Sequence, residues 1–302
     1  MEKENEKTFK LAILTPAYNR NELLEICFKS LQNQTCKDFV WYIVDDGSKI
    51  PQEAEFNKLK QQADFEMVLI RKENGGKHTA INTGVQAIKE PAVLILDNDD
   101  FLTPDAVERV KTDWPLISDK EDLCGLGYLR QYSDGKIIGV PYKKNGVIDT
   151  IVNQRYNQNV WGDKSEVYKT EIMKCFPFPV FEGERFLSES TVWCKMSGEY
   201  KFMFFNKPIY VCEYLEGGLS DNVRKTLFKN PKGATLCYKT LSGKGFNLKN
   251  KIKYTLLYIV HSKACKNKLK TIIKESSNKL LTFLLMPFGL VIYRKRKKCF
   301  KN

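Results

Sequence analysis

Four short apolar segments, each followed at once by a polar cluster, constrain the fold of this chain more than any other feature. Apolar runs predict β-strands over residues 10–15, 39–44, 66–71 and 92–96. Between them, the helical spacing of apolar side chains predicts helices over residues 21–32, 53–62 and 79–89. This alternation of strands and helices predicts a parallel sheet that is covered by helices.

Polar residues fall where each of these strands ends. The four clusters are Thr15-Pro16-Ala17-Tyr18-Asn19, Asp45-Asp46-Gly47-Ser48, Asn74-Gly75-Gly76-Lys77 and Asp97-Asn98-Asp99-Asp100. In open α/β sheets, ligands bind beyond the carboxyl ends of the parallel strands. The sequence therefore predicts one composite site at this edge of the sheet.

The fourth cluster places three carboxylates within four residues, at Asp97, Asp99 and Asp100. The negative charges of these carboxylates repel one another, so a nearby positive charge is needed to compensate them. Mg²⁺ or Mn²⁺ provides it, because a hard cation prefers oxygen ligands and takes one or two carboxylates together with substrate phosphate oxygens. The alternative is a solvated turn that precedes the helix starting near Thr103-Pro104-Asp105.

Five segments in this order and spacing resemble a known family. They are Leu14-Thr15-Pro16-Ala17-Tyr18-Asn19, Ser30-Leu31-Gln32-Asn33-Gln34-Thr35, Val44-Asp45-Asp46-Gly47-Ser48, Asn74-Gly75-Gly76-Lys77 with Ala80, Asn82 and Gly84, and Leu96-Asp97-Asn98-Asp99-Asp100. Together they resemble family 2 glycosyltransferases of the GT-A fold, of the bacterial polysaccharide type. The resemblance is strong over residues 10–110, weaker over 110–225 and slight beyond.

The resemblance implies a nucleotide-sugar donor, a UDP-sugar, bound together with Mg²⁺ or Mn²⁺. It implies that Asp46 faces the nucleobase or ribose beside the backbone of residues 16–18, with Asp45 as a helper. Asp97 would face the ribose and sugar, Asp99 would hold the metal through a DxD-type motif, and Lys77 would face the phosphates. The expected donor site comprises Pro16, Tyr18, Asp45, Asp46, Lys77, Asp97, Asn98 and Asp99.

An inverting transfer also needs a base that takes the acceptor proton. The family often has an acidic pair at a helix start, and Phe186-Leu187-Ser188-Glu189-Ser190 matches it with serine in place of the second acid. Glu189 is the expected base, and Glu184 and Asp163 remain alternatives. Glu189 has a second interpretation, as the cap of the helix that follows it. Residues 216–220, a Glu-Gly-Gly-Leu-Ser segment, are expected to form a loop that closes over the donor.

The positive charge of the chain is concentrated at its C-terminal end. Residues 226–302 carry 19 of the 49 lysines and arginines but only one of the 36 acidic residues, Glu275. There, the apolar stretch Leu280–Tyr293 has 14 residues, too few for a span of about 20, and Arg294-Lys295-Arg296-Lys297-Lys298 follows at once. This pattern predicts binding to an anionic membrane surface rather than to nucleic acid.

The composition favours a cytoplasmic location. Nine scattered cysteines form no Cys-x-x-Cys pair, which predicts reduced thiols, and no apolar run near Met1 has the length of a signal peptide. With the basic tail, this predicts a peripheral protein on the cytoplasmic face of the inner membrane.

These inferences combine into a GT-A-like α/β fold, with a mostly parallel central sheet flanked by helices and a helical, basic C-terminal appendage. The expected regions are a nucleotide-sugar-binding half (1–105), an acceptor-binding half (106–225) and a membrane-apposed region (226–302). The expected activity is that of an inverting hexosyltransferase acting on a glycan or lipid-linked saccharide in cell-surface polysaccharide assembly. The alternatives are a non-catalytic membrane-binding protein of the same fold and a nucleotidyltransferase, although the first strand lacks a glycine-rich phosphate loop.

Overall fold

The computed structural model describes residues 9–212 and 223–299, without the side chains of residues 298 and 299. Within this part of the chain there are nine strands: β1 (Leu11–Ala17), β2 (Phe39–Asp45), β3 (Glu66–Arg71), β4 (Ala92–Ile95), β5 (Phe101–Leu102), β6 (Leu123–Gln131), β7 (Val147–Asp149), β8 (Lys164–Lys169) and β9 (Lys201–Val211). The helices of the first half are α1 (Leu24–Gln32), α2 (Glu53–Lys60), α3 (Lys77–Ala87), α4 (Ala106–Asp113) and α5 (Thr170–Cys175). Those of the second half are α6 (Ser190–Met196), α7 (Val223–Lys229), α8 (Pro231–Leu241), α9 (Leu248–Ala264), α10 (Leu269–Glu275) and α11 (Lys279–Cys299).

The strands form one sheet in the order β3-β2-β1-β4-β8-β6-β9-β5, with β7 paired to β9. The four N-terminal strands β3, β2, β1 and β4 run parallel to one another. Strand β8 joins β4 antiparallel, and β6 and β8 are also antiparallel. The predicted parallel, helix-covered sheet is therefore confirmed, and the α/β fold has the parallel strand ends at one edge.

Strands β1 and β2 are buried along their whole length, because they lie inside the sheet with helices packed against it. Helix α1 buries the face that its spacing predicts, with Leu24, Cys27, Phe28 and Leu31 in the core. Helix α3 approaches β1 closely at Gly84, where a Cβ atom would lie 2.3 Å from Leu14 Cδ1. Only glycine allows this approach, which brings the start of α3 to the strand ends.

Contacts within the chain define two compact units. The first contains nearly all of the sheet and comprises residues 1–148, 162–175 and 202–213. The second contains helices α6 to α11 and comprises residues 149–161, 176–201 and 214–302. The expected three-region division remains a prediction.

The second unit has its own apolar packing. One cluster joins Val152, Cys194, Cys237, Leu241, Phe246 and Tyr254. Another joins Tyr258 and Ile259 of α9, Ile272 of α10 and Met286 of α11. The basic C-terminal region is thus helical, as predicted. Among the described residues, none of the helices has both the length and the apolar character that a membrane crossing requires.

Candidate functional site

The carboxyl ends of β1, β2, β3 and β4 are tied together by backbone hydrogen bonds that continue beyond the strands. The amide of Asp46 donates to Ala17 O at 2.9 Å, and the amide of Lys72 donates to Asp45 O at 3.0 Å. The amide of Leu96 donates to Leu14 O at 2.9 Å. The polar clusters of the first four strands therefore start from one edge of one sheet, as the sequence predicts.

Asp46 is buried at this edge and organises the loop after β3. Its carboxylate accepts hydrogen bonds from Lys72 Nζ at 2.7 Å, Gly76 N at 2.7 Å and Gly75 N at 3.0 Å. Asn74 Nδ2 donates to the same carboxylate at 3.1 Å. These charge-assisted bonds hold a buried anion with protein donors. Lys72 is a site residue that the sequence analysis missed.

Asp45 is buried beside it and shapes the turn after β2. Its Oδ1 accepts a hydrogen bond from Ser48 N at 2.8 Å, and its Oδ2 lies 3.7 Å from Arg71 Nη1. The loop after β1 is fastened to this turn, because Asn19 Oδ1 accepts a bond from Lys49 N at 2.8 Å and Asn19 N donates to Ser48 Oγ at 2.9 Å.

Pro16 and Tyr18 lie at the end of β1. Pro16 is buried within the strand, whereas the Tyr18 side chain is 42% exposed. An exposed aromatic ring beside a site can present an apolar face to a planar ligand.

Lys77, the first residue of α3, connects the loop after β3 to the acidic cluster. Its Nζ lies 2.6 Å from Asp97 Oδ1. Burial alone would raise the pKa of Asp97, but the cations of Lys77 and Arg130 outweigh it and lower that pKa below its ordinary value. Asp97 is therefore ionised at neutral pH.

Each carboxylate of the acidic cluster faces a different basic side chain. Asp97 pairs with Lys77, and Asp99 Oδ2 accepts a hydrogen bond from Arg20 Nη1 at 3.0 Å. Asn98 between them is half-buried. Lys77 and Arg20 thus compensate part of the negative charge of the acidic cluster, a role that the sequence analysis did not predict for them.

Asp100 has a different environment from the other two carboxylates. It is buried, and its Oδ2 lies 3.8 Å from Arg130 Nη1. Burial, together with the nearby Asp97, raises the pKa of Asp100 to about 6. The Asp100 carboxylate is therefore part of the buried structure beneath the acidic cluster.

Arg130 and Tyr210 support the acidic cluster. The guanidinium carbon of Arg130 lies 3.9 Å from the centre of the Tyr210 ring, and Arg130 Nε donates to Lys164 O at 2.9 Å. The Tyr210 hydroxyl accepts a hydrogen bond from Asp97 N at 2.9 Å. A half-buried arginine on β6 and a buried tyrosine on β9 thus hold the loop that follows β4.

The expected acceptor-side acids occupy distinct environments. Glu189 lies at the start of α6, half-buried, and its side chain makes no capping hydrogen bond to that helix. Glu184 is buried and accepts hydrogen bonds from Lys232 N at 2.7 Å and Gly233 N at 2.8 Å, so it caps α8. Asp163 is exposed in the sheet-containing unit. The predicted closing loop, 216–220, lies outside the described residues.

A bound divalent metal remains a prediction, and it depends on which carboxylates are accessible as ligands. Among the described residues, no three His, Cys, Asp or Glu side chains come together as a metal-binding set. A Mg²⁺ or Mn²⁺ ion that is completed by phosphate oxygens and water needs only one or two carboxylates. The side chains of Asp97 and Asp99 are 28% and 29% exposed, so their oxygens fit that requirement.

Known proteins share both this fold and this sequence pattern. Residues 12–114 match the model of the family described as Glycosyl transferase family 2. A chondroitin synthase of Escherichia coli is 31% identical over 176 residues, which are 57% of this chain and 22% of that protein. The chain spans only 23% to 36% of the length of the first three curated relatives.

Two solved structures with the same architecture have low sequence identity to the chain. Staphylococcus aureus TarS 1–349 in complex with UDP-GlcNAc is 17% identical with a TM-score of 0.56, over 94% of this chain and 88% of that one. A mannosyltransferase of Pyrobaculum calidifontis in complex with GDP-Man and Mn²⁺ is 15% identical with a TM-score of 0.55, over 97% and 83%. The fold is therefore that of the GT-A glycosyltransferases. The match to the model of glycosyl transferase family 2 covers residues 12–114, about one third of the chain.

Proposed function

We propose that the chain is an inverting hexosyltransferase that moves a sugar from a nucleotide-diphosphate donor to an acceptor hydroxyl. The observation that carries the proposal is the strand-edge site, where Asp46 holds the loop that leads into Lys77 and Lys77 pairs with Asp97. The family match over residues 12–114 and the relatives that build polysaccharides support it. The acceptor class is a glycan or lipid-linked saccharide in cell-surface polysaccharide assembly.

The donor diphosphate is assigned to the start of α3. The amides of Gly75 and Gly76 already donate hydrogen bonds to Asp46, so these two donors are used within the protein. Lys77 presents its ammonium group at the N-terminal end of α3, where the helix dipole also favours an anion. Pro16, Tyr18, Asp45 and Asp46 are assigned to the nucleoside, and Asp97 and Asn98 to the ribose and sugar.

The donor is proposed to be a UDP-sugar, because a fold neighbour is described in complex with UDP-GlcNAc. Mg²⁺ or Mn²⁺ would be held through Asp99, and another fold neighbour is described with Mn²⁺. When bound, the metal supplies positive charge that stabilises the departing nucleoside diphosphate. Asp100 is excluded from this role because it is buried against Arg130 and Tyr210.

Glu189 is the proposed base. It takes the proton of the acceptor hydroxyl while that oxygen forms the new bond to the anomeric carbon and the bond from that carbon to the diphosphate oxygen breaks. Glu184 is a poor candidate for the base, because both of its carboxylate oxygens accept hydrogen bonds from backbone amides at the start of α8. Asp163 remains the alternative.

The anionic membrane surface is the proposed partner of the basic segment 294–298. Each lysine or arginine near such a surface contributes about 1 kcal/mol. The proposed location is accordingly peripheral, on the cytoplasmic face of the inner membrane, where a lipid-linked acceptor is accessible.

The activity is tested with purified protein and a panel of nucleotide sugars. A cognate donor is expected to raise the unfolding temperature, since a ligand that binds only the folded state stabilises it by mass action. The same donor should be hydrolysed slowly with Mn²⁺ and transferred when saccharide acceptors are added. A panel in which no nucleotide sugar raises the unfolding temperature or is turned over would refute the proposal.

A further inference from the structure

Helix α11 exposes an apolar face along three of its turns. The exposed fractions of its five members lie between 49% and 70%. These members, named here the apolar stripe, are Leu280, Phe283, Leu284, Phe288 and Val291. Their spacing of three, four, eight and eleven residues from Leu280 places them on one side of a helix. Singly exposed apolar residues are ordinary, but a contiguous apolar face marks an interaction site.

The opposite side of α11 is already used for packing. Thr282, Met286 and Gly289 are buried, and a Cβ atom on Gly289 would lie 2.6 Å from Ile259 Cγ2 of α9. Because α11 is anchored to α9 through this side, the apolar stripe faces outward as a consequence of the fold.

An apolar groove adjoins the stripe. It lies between α9 and α11 and has a volume of about 430 Å³. Its lining consists of Leu256, Leu285, Phe288, Val291 and Ile292, all of them apolar. Phe288 and Val291 belong to both surfaces, so the stripe and the groove form one continuous apolar region.

Basic residues continue the face of the stripe. Arg294 and Lys295 follow Val291 by three and four residues and are exposed, as is Lys297. The whole segment 226–302 carries 19 basic residues and one acidic residue. The occupant of this face must therefore offer both hydrocarbon and negative charge. A second copy of the chain would instead bring the same positive charges to the contact.

We propose that the apolar stripe inserts into an anionic lipid bilayer, with an acyl chain entering the groove and Arg294 and Lys295 at the lipid headgroups. An amphipathic helix of this kind lies in the plane of the interface with its apolar side in the acyl boundary. The inference rests on the membrane partner proposed above, but it assigns the attachment to hydrocarbon contact as well as to charge.

The test uses the 302-residue chain and sedimentation with phosphatidylcholine vesicles, with and without phosphatidylglycerol. The stripe variant is Phe283→Gln with Phe288→Gln, and the charge variant is Arg294→Gln with Lys295→Gln. The matched control is Leu116→Gln with Leu269→Gln, which changes two exposed leucines outside the stripe. Circular dichroism and light scattering establish that each variant is folded and report its oligomeric state.

Wild-type protein is expected to bind the anionic vesicles, and the stripe variant to bind them about tenfold or more weakly. The control should bind like wild type. At about 1 M salt, charges are screened beyond about 3 Å, so binding through charge is suppressed. Wild type and the charge variant should then show similar residual binding to the vesicles, and the stripe variant should show none.

Three results would overturn the inference. If the stripe variant binds vesicles as strongly as wild type, the apolar stripe does not insert, and only attachment through charge remains. An absence of vesicle binding by wild type would refute both membrane proposals while leaving the sugar-transfer proposal intact. A dimer that the stripe variant abolishes, without vesicle binding, would assign the face to a second copy of the chain.

Discussion

The hydroxyl of Tyr210 accepts a hydrogen bond from the backbone amide of Asp97, with 2.9 Å between the nitrogen and the oxygen. These two residues are 113 positions apart in the chain. Tyr210 lies on β9, and Asp97 lies two residues after the end of β4. Tyr210 is fully buried, and Arg130 stacks on its ring. The position of the acidic cluster thus depends on a side chain from the distant half of the sheet.

Tyr210→Phe removes this hydroxyl and leaves the amide of Asp97 without that acceptor. We expect a loss of about 1–3 kcal/mol in the free energy of unfolding and a lower turnover number, because the loop that carries Asp97 and Asp99 is no longer held. Tyr128→Phe is the matched control, since it breaks the buried bond of 3.0 Å to Asp113 elsewhere in the sheet. Urea unfolding and donor turnover check both variants. Equal turnover losses in the two would contradict a positioning role for Tyr210.

Lys72→Met removes the only side-chain ammonium bonded to Asp46 in the described part of the chain. Asp46 is 3% exposed, and removal of one partner of a buried ion pair costs about 3 kcal/mol. We therefore expect a clear loss of stability in urea unfolding and weaker donor binding, because the loop of residues 72–76 loosens. Lys58→Met breaks the exposed pair with Glu55 and should change neither. If Lys72→Met binds donor and unfolds like wild type, Asp46 does not depend on this cation.

The first hundred residues were predictable because their signals are local. The strand over 66–71 was predicted with the observed bounds, and β2 differs by one residue at its end. Helix α3 begins two residues before the predicted start at Thr79. Apolar runs and helical spacing depend on neighbours in the chain, so they are read without knowledge of the tertiary fold.

The support of the site was not predictable, because it depends on strand pairing. Arg130 and Tyr210 meet only when β6 and β9 join the sheet. One signal was present: Arg130 directly follows the apolar run of β6, and a charged residue so close to the core usually has a partner. Lys72 is a charged residue directly after β3, and its position next to a strand end indicated a partner in the same way. The acidic cluster was recognised, but the sequence did not reveal that Arg20, Lys77 and Arg130 would face it.

Asp99→Ala tests the proposed metal contact. We expect Mn²⁺-dependent transfer to fall by about a hundredfold or more, since the charge on the departing diphosphate loses several kcal/mol of stabilisation. Mn²⁺ binding in the presence of nucleotide, followed by electron paramagnetic resonance, should weaken in parallel. Asp134→Ala removes an exposed carboxylate in a turn and should affect neither measurement. Undiminished turnover by Asp99→Ala would refute the assignment.

Asp100→Asn tests the raised pKa of Asp100. With a folded-state pKa of about 6, above the ordinary value of 3.8, Asp100 keeps its proton in the folded protein after it has lost it in the unfolded chain. Its contribution to stability is therefore full below about pH 4 and is lost as the pH rises through 6. The span corresponds to about 3 kcal/mol. Urea unfolding between pH 4 and 7 should show wild type losing this amount relative to Asp100→Asn.

The comparison of these two proteins cancels other titrations. His261 is buried with a pKa lowered to about 4, so it makes the protein more stable as the pH rises through the same range. Both proteins contain His261, and the difference between them isolates Asp100. A difference that is constant from pH 4 to 7 would show that the environment of Asp100 does not raise its pKa.

Glu189→Gln tests the proposed base. The variant keeps the size of the side chain but cannot take the acceptor proton, so kcat for transfer should fall by about 10²- to 10⁴-fold. Donor binding, measured by thermal shift, should be unchanged, because the residues assigned to the donor lie in the other compact unit. Glu182→Gln, an exposed neighbour, is the matched control and should transfer normally. If Asp163→Asn lowers kcat to this extent and Glu189→Gln does not, Asp163 is the base.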